Sequence, residues 1–592
     1  MTRGLRWKVG SANKGEGDAL AAQLGVAAPV ARLLVQRGFS DPQMAHQFLN
    51  PSPDQLHSPD QMPDMARAAA RIAKALDDGE TIGVYGDYDV DGVTSAALLG
   101  RVLGKLASSP DKVVVRVPHR RRDGYGLSPE TMDMLHAEGA TVIVSADCGV
   151  SAHEAALRAK ALGIDLIVTD HHEPGDTLPD AYAVVNPKRA DSTYPFRDLA
   201  GVGVAFKVGE AVAALRGIAP HLYRPRFLDL VALGTVADNA PLVDENRAMA
   251  RIGLASLSQT KKAGLRTLLA ATGVISRPIT AGVVSFNIAP RLNAVGRVDD
   301  AALGLELLMT SDGARAQELV ALLERLNDER RTEQERIWGE AMDSIRKQGL
   351  HADKVILVSG ANWHKGVVGI VAGRLADRFH RPALVVATDD TMARGSARSA
   401  TNFPVIDALR DCHDILKDYG GHSQAAGFDL LLENLPQLRE RLNLFADHYL
   451  TDEDVLPTLD VDMEILPQEI CTATLRDLAR MEPFGSGNRE PVWVSRNLLM
   501  IGSSCFGKQT DRPHLSMKMR GEGMDPTECV WWRQASRQGE FAPNREFDVV
   551  FRMEPNHFGA AALRLNVQDA VPSESSFDAG FAEMAADPVW EE

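Results

Sequence analysis

Four acidic groupings along the chain could do chemistry together. GDYDVDG (86–92) alternates Asp87, Asp89 and Asp91 directly after an apolar run. Asp147 follows TVIVSA, Asp170-His171-His172 ends DLIVTDHH, and Asp238 lies in GTVADNAPL, just past an apolar helix-like stretch. A single Asp after a strand is usually a turn former or a helix cap. Repetition at successive strand ends, with two imidazoles added, argues for a shared site. Carboxylates packed together repel and resist ionisation unless a cation neutralises them. One or two divalent metals satisfy such a set. Oxygen donors suit Mg²⁺ and Mn²⁺, the imidazole tilts toward Mn²⁺, and Zn²⁺ is disfavoured because no Cys stands at ligand spacing. Two ions ~3.5–4 Å apart commonly serve in-line attack at phosphorus.

These groups need a scaffold that brings distant residues together. TIGVYG (81–86), VVVRV (113–117), TVIVSA (141–146) and DLIVTD (165–170) read as strands separated by helices. Such alternation predicts an α/β fold with a mostly parallel sheet and helices on both faces. In an open parallel sheet, ligands bind outside the carboxyl ends of the strands, where all but Asp238 directly follow one. Residues 1–50 read as a helical lead-in and 51–304 as the main α/β domain. A long connecting helix covers 305–348, with a break marked by Gly313. A second α/β domain covers 349–453, a small all-β domain 454–570, and an acidic flexible tail 571–592. The charge run NDERRTEQER reads as a solvated helix face.

Groups suited to a phosphate lie elsewhere. In RGSARS, Ser396 and Arg398 are two apart, so on a strand both point to one face and offer a hydroxyl and a guanidinium. Gly420 and Gly421 permit close backbone approach, and His422 beside them can donate. His119-Arg120-Arg121-Arg122 is a basic run before GYG. Trp363 could stack on a base, although a lone Trp is more often packing.

YGDYDVDGVTSAAL (85–98), SADCG (145–149), TDHHE (169–173), ADNAPL (237–242) and GGHSQAAGF (420–428) together resemble the DHH phosphoesterase superfamily. Within it, HRRRDGYGLS, APRLNAVGR, NWHKGVVGIVAGRL, RGSARS and EPFGSGNREPVW are similar to the bacterial RecJ family of single-stranded-DNA-specific exonucleases. The resemblance spans about residues 30–570. It implies two α/β domains, DHH and DHH-associated, joined by a long helix around a cleft, with the β domain an oligonucleotide-binding barrel. It implies a metal-dependent 5′→3′ exonuclease that releases mononucleotides from single-stranded DNA. Asp89, Asp91, His171 and Asp238 match metal ligands, and Asp147 matches the carboxylate bridging both metals. Asp87 stands where relatives often carry a His ligand. His172 matches the His that contacts the scissile phosphate, so His172 and Asp147 are the expected catalytic pair. Arg120 matches a phosphate-gripping Arg, and His119 departs from the usual Asn before it. Asn293 and Arg297 are expected strand-backbone contacts, with a structural turn the alternative, and Ser396 with Arg398 is expected to take the 5′ end. Trp363 and His364 are expected beside the cleft. Expected partners are single-stranded DNA, a single-strand-binding protein and a helicase, with the enzyme a cytoplasmic monomer. The alternatives are a phosphodiesterase of short oligonucleotides or cyclic dinucleotides, and a non-catalytic DNA-binding scaffold.

Composition is compatible with this. The 592 residues contain 45% apolar and 24% charged side chains, which disfavours disorder, a fibre or a disulfide scaffold. Five scattered cysteines, Cys148, Cys412, Cys471, Cys505 and Cys529, read as free thiols of a reducing compartment. No apolar run reaches the ~18 residues of a membrane span. Lys and Arg number 64 against 80 Asp and Glu, a net charge of −16 that at first argues against nucleic acid. Much of that charge falls in the proposed metal site and the tail, and binding is decided locally.

Overall fold

A computed structural model describes residues 5–118, 126–274, 278–298, 300–451, 453–507, 513–556 and 562–573, without the side chains of Arg297 and Val298. The chain divides into two compact units. One is Gln47–Arg330 together with Glu482–Arg489, and the other comprises the remaining described residues. The described chain opens with strand β1 (Arg6–Val9), which belongs to the second unit.

The first unit is built on five strands: β2 (Thr81–Gly86), β3 (Val113–Arg116), β4 (Ala140–Ala146), β5 (Asp165–Thr169) and β6 (Ala183–Val185). Their order is β3-β2-β4-β5-β6, and every pairing is parallel. Strands covered on both faces need apolar residues in both alternating positions, which β-branched runs such as TVIV supply. Ile82, Val84, Val142, Val144 and Ile167 pack into one core with helices Met65–Asp78, Val90–Leu106 and Gly201–Leu215. Tyr85, Ile143, Leu166 and Val168 face the other way, onto helices Pro129–Ala137 and His153–Ala161. Each such buried side chain contributes about 1.5–3 kcal/mol. The expected parallel sheet with helices on both faces is what forms.

The second unit holds β7 (Ile356–Ala361), β8 (Ala383–Thr388), β9 (Met392–Arg398), β10 (Leu416–Gly421) and β11 (Ala425–Leu431) in the order β10-β11-β9-β8-β7. Only β7 and β8 pair in parallel; the rest of this sheet is antiparallel. The connecting segment is broken where Gly313 suggested. One helix ends at Met309, Asp312 accepts from Ala314 N at 2.8 Å, and a 36-residue helix Gly313–Gln348 follows. Strand β12 (Thr458–Val461) precedes a sheet of β13 (Met463–Glu464), β14 (Trp493–Phe506), β15 (His514–Arg520), β16 (Thr527–Trp531), β17 (Glu546–Pro555) and β18 (Leu563–Pro572). The order β13-β14-β15-β16-β18-β17, with β14 also pairing β17, closes a barrel.

The lead-in is not wholly helical. β1 pairs in parallel with β12 and sets Trp7 into a small core with Val461, Val492, Val494 and Val550. Trp7 Nε1 donates to Asp569 at 2.8 Å, so the strand is fixed by the barrel. At the other end β18 runs to Pro572; residues 574–592 of the expected tail lie outside the described residues. Among the described residues no single helix is long and apolar enough to cross a membrane, and all five cysteines are free.

Candidate metal centre

Three acidic residues each extend a strand by one step. Asp87 N donates to Ala146 O at 3.2 Å, Asp147 N to Thr169 O at 3.0 Å, and Asp170 N to Val185 O at 3.1 Å. Each bond continues the ladder to the neighbouring strand. The carboxyl edge of the sheet therefore aligns all three groups.

Asp89 caps the Val90–Leu106 helix, its side chain accepting from Gly92 N at 2.9 Å. Asp91, in the first turn of that helix, is 1% exposed and reaches the start of another helix. Its two oxygens accept from Gly201 N at 2.7 Å and Val202 N at 2.8 Å. A helix N-terminus favours a carboxylate there. Asp147 has φ +67, a conformation L residues rarely adopt. Asp238 is the C-cap of the Leu228–Ala237 helix and is exposed.

These positions converge into three overlapping donor sets: Asp87, Asp89 and Asp147; Asp91, His171 and Asp238; and Asp147, His171 and His172. Within each set the ligand atoms lie within 4.8 Å of one another. Asp87 Oδ1 and Asp147 Oδ1 are buried without a hydrogen-bond partner among the described residues. Asp147 Oδ1 faces His171 Nε2 at 3.1 Å without forming a hydrogen bond, as two ligands of one ion would. Burial and the adjacent Asp89 charge push the Asp87 carboxyl up to about 7. Burial and Asp238 push Asp91 up to about 7 as well. Asp147 is raised well above its ordinary value by burial and then by Asp91 and its other acidic neighbours. His171 is lowered, chiefly by burial, which favours the neutral ligand form. Orphaned buried oxygens, crowded carboxylates and a neutral imidazole fit divalent ions.

Asp170 belongs to none of these sets, because its oxygens are already used. Oδ2 accepts from Val150 N at 2.9 Å; Oδ1 accepts from His171 N at 2.7 Å and lies 2.7 Å from His172 Nδ1. Burial disfavours its charge, but the His172 contact and these amides outweigh that, and its pKa is lowered. Burial lowers His172, while the Asp170 bond and charge raise it further, to about 9, so the ring is a cation at neutral pH.

Several supporting residues have roles that only the packing reveals. A Cβ on Gly201 would sit 2.4 Å from Asp147 Oδ1, one on Gly92 2.5 Å from Asp87 N, and one on Gly234 2.9 Å from Asp91 Oδ1. Asn186, fully buried, donates to His172 O at 2.9 Å. The DYD loop also meets the APRLNAVGR segment, which is a helix (Ala289–Val298) rather than a turn. A Cβ on Gly296 would lie 2.9 Å from Tyr88 O, so Asn293, half-buried on that helix, lies one turn from the Asp87–Asp91 loop. Arg297 is on the same helix, with its side chain outside the described atoms, and Arg120 with its basic run (119–122) lies outside the described residues.

The other phosphate candidates are in the second unit. Ser396 and Arg398 share one face of β9, and Arg398 Nη1 donates to Ser396 Oγ at 3.0 Å. Gly369, at the start of the Val368–Phe379 helix, abuts both; a Cβ there would be 2.9 Å from Ser396 Oγ. Register sets Ser396 opposite Gly427 and Gly427 opposite Gly420, leaving a row without side chains beside the hydroxyl. Gly421 and exposed His422 form the β10–β11 hairpin, where φ +141 at Gly421 and Ala425 O leave no space for a Cβ. Trp363 is core: 5% exposed, packed on Gly360, with Nε1 donating to Glu340 at 2.6 Å.

Comparison with known proteins agrees with this fold. Three family models match in chain order: the DHH family, N-terminal domain, at residues 81–235, the DHHA1 domain at 352–447, and the RecJ OB domain at 461–569. The single-stranded-DNA-specific exonuclease RecJ of Bacillus subtilis is 38% identical over 573 residues, covering 96% of this chain and 71% of the relative. The Escherichia coli protein of the same name is 35% identical, covering 86% of this chain and 91% of its own. The crystal structure of RecJ from Thermus thermophilus in complex with Mn²⁺ superposes with a TM-score of 0.81 at 30% identity, covering 96% of this chain and 80% of that one. Its complex with Mg²⁺ gives 0.73 at 29% identity, covering 95% and 78%. On identity across nearly its whole length and on the shared order of its domains, the chain belongs to the RecJ family.

Proposed function

We propose that Asp87, Asp89, Asp91, Asp147, His171 and Asp238 hold the divalent ions of a single-stranded-DNA exonuclease, with His172 and Asp147 at the reacting phosphate. The activity is metal-dependent 5′→3′ hydrolysis of single-stranded DNA, and the cofactor is Mn²⁺ or Mg²⁺. The observation that carries the residue assignment is the buried, unpartnered oxygens of Asp87 and Asp147 inside overlapping donor sets. Two divalent ions, when bound, supply an activated water and offset charge on the phosphate. The chain's own residues do the rest. Asp91, fixed by two helix amides, and Asp147, fixed by the strand ladder, present preset carboxylates. With Nδ1 committed to Asp170, His172 turns its other nitrogen to the phosphate as a charged donor.

In the same reading Ser396, Arg398, Gly420, Gly421 and His422 take the 5′-terminal phosphate, and Arg120, Asn293 and Arg297 hold the strand backbone. The supporting geometry is a guanidinium, a hydroxyl and a helix start around a row of bare glycines. Residues 51–304 form the catalytic DHH domain, 349–453 the end-recognising DHH-associated domain and 454–570 the strand-guiding barrel, with 1–50, 305–348 and 571–592 as lead-in, connector and tail. A cytoplasmic monomer working beside a helicase and a single-strand-binding protein completes the reading.

The test uses single strands labelled at either end, with 5′-phosphate or 5′-hydroxyl, in Mn²⁺, Mg²⁺ or chelator. Mononucleotides should leave from the 5′ end only, and only with metal. Activity confined to dinucleotides overturns the exonuclease reading; degradation surviving Asp147→Ala overturns the metal-site assignment.

A further inference from the structure

Among the six proposed ligands, Asp238 alone sits at the end of a helix. It caps the end of the Leu228–Ala237 helix through Asp238 N to Gly234 O at 2.9 Å, and the loop then turns through Asn239 at φ +59. What fixes the rest of this loop comes from far downstream. Glu482–Arg489 joins the unit that contains Asp238, while the residues on either side of it do not.

The contacts are close and mostly to backbone. Leu242 N donates to Ser486 O at 2.7 Å. A Cβ on Gly485 would lie 2.8 Å from Leu242 Cδ1. Gly487, at φ +69, packs on Pro241 and Val243, where a Cβ would meet each at 3.2 Å. The segment is itself tightly folded. Gly485 and Asn488 exchange both backbone hydrogen bonds, at 2.9 and 3.1 Å, and buried Asn488 donates to Pro483 O at 2.9 Å. Buried Arg247 anchors it from below, donating to Glu482 O and to Phe48 O, each at 3.0 Å. The adjacent Asn246, fully buried, donates to Pro241 O at 3.1 Å and to Asp198 O at 2.7 Å. Asp198 lies just before Gly201, whose amide holds Asp91. One helix thus braces both loops that carry or support the Asp91–His171–Asp238 set.

We propose that Glu482–Arg489 is a positioning segment for the metal centre. It contributes no ligand, yet it sets the affinity for the divalent ion by holding the Asp238 loop in its binding geometry. This rests on the reading of Asp238 as a ligand. A loop carboxylate that must be ordered by the ion loses conformational freedom on binding, and a braced one has already lost it. Partners behind a ligand typically change metal affinity about 10–100-fold when removed.

The experiment titrates Mn²⁺ into the full chain and follows the free-ion paramagnetic resonance signal, with the Mn²⁺-induced rise in melting temperature as a second readout. Gly487→Val forces a branched residue into a left-handed conformation against Pro241 and should weaken Mn²⁺ binding on the order of 10-fold. Gly485→Ala, which meets only the end of the Leu242 side chain, should weaken it by a smaller factor than Gly487→Val and serves if the first variant does not fold. Asp238→Asn should weaken it at least as much as Gly487→Val. Leu268→Ala, which removes fully buried packing in the same unit but on a different helix (Ala263–Ala271), should lower stability and leave Mn²⁺ affinity unchanged. Normal Mn²⁺ affinity in the folded loop variants, with loss in Asp238→Asn, overturns the positioning role and leaves the ligand assignment standing. Normal affinity in Asp238→Asn removes both. An equal loss in Leu268→Ala reduces the effect to general destabilisation and also overturns the proposal.

Discussion

Gly201→Ala adds one methyl group, and the structure says where it goes. The new Cβ would lie 2.4 Å from Asp147 Oδ1 and 2.6 Å from Asp147 Cβ and Cγ, whereas ordinary contact begins at 3.4 Å. Neither side yields easily. Gly201 N is committed to Asp91 at 2.7 Å, and Asp147 N to Thr169 O at 3.0 Å. Relief therefore moves Asp147, Asp91 or both by roughly 1 Å, a displacement that costs on the order of 10²-fold in rate. That corresponds to about 2.7 kcal/mol of transition-state stabilisation. Overpacking costs a further 1–3 kcal/mol of stability, roughly. The assay is release of nucleotides from 5′-labelled single strands across a Mn²⁺ titration, with thermal melts alongside. Gly104→Ala is the control: it lies in the Val90–Leu106 helix with nothing within 4 Å of its Cβ position. It should be fully active and more stable by about 0.4–1 kcal/mol. A folded Gly201→Ala enzyme with activity within threefold of the parent would refute the claim that this glycine sets the Asp91–Asp147 geometry.

Four further outcomes follow from the same geometry. The Asp87 and Asp91 carboxyls sit near 7 when folded, against about 3.9 unfolded, so their contribution to stability is complete below about 3.9 and is lost as pH rises through about 7. Divalent ions reverse that loss, so the rise in melting temperature caused by Mn²⁺ should be larger at pH 8 than at pH 6; an equal or smaller rise at pH 8 contradicts the site chemistry. Asp170→Asn removes the carboxylate that holds His172, so the His172 pKa should fall from about 9 in an NMR titration and activity should drop at least ~10-fold. Arg398→Ala should raise KM about 10-fold or more for 5′-phosphorylated strands and leave 5′-hydroxyl strands little changed, as expected for one lost charged hydrogen bond. Trp363→Phe loses the bond to Glu340 and should cost about 1–3 kcal/mol of stability without altering KM for DNA, whereas a base-stacking Trp would show the reverse.

The gathering of the acidic groups and His171 was legible because its parts are local. A run such as TVIVSA followed by Asp147 announces a strand end and its occupant in consecutive residues, and the parallel sheet does the gathering. The Ser396–Arg398 pair was legible for the same reason, since strand periodicity alone puts both on one face. What could not be read depends on contacts between remote segments. Gly201 looks like any small helix residue until Asp147 is packed against it. APRLNAVGR carries Pro290 and Gly296, which suggest a turn, yet Pro290 lies inside a continuous helical run from Ala281 to Val298, directly after a π-helical turn (Val284–Ile288), and Gly296 serves close approach to Tyr88. Four residues, RWKV, are too few for alternation to declare a strand; β1 exists because β12 is there to pair with it.

That pairing also has a consequence in time. During synthesis Trp7 emerges long before its partners, and Val461 and Asp569 follow some hundreds of residues later. At about 5–20 residues per second, β1 waits on the order of 20–90 s for β12 to leave the ribosome. All five strands of the first unit's parallel sheet lie between Thr81 and Val185, so they are synthesised well within that interval. Synthesis thus supplies every strand of the sheet before the barrel is complete, and β1 cannot finish its pairing until β12 has been made. Arg6 and Lys8, exposed on either side of Trp7, keep the waiting strand charged and discourage it from pairing with a neighbour on the same polysome.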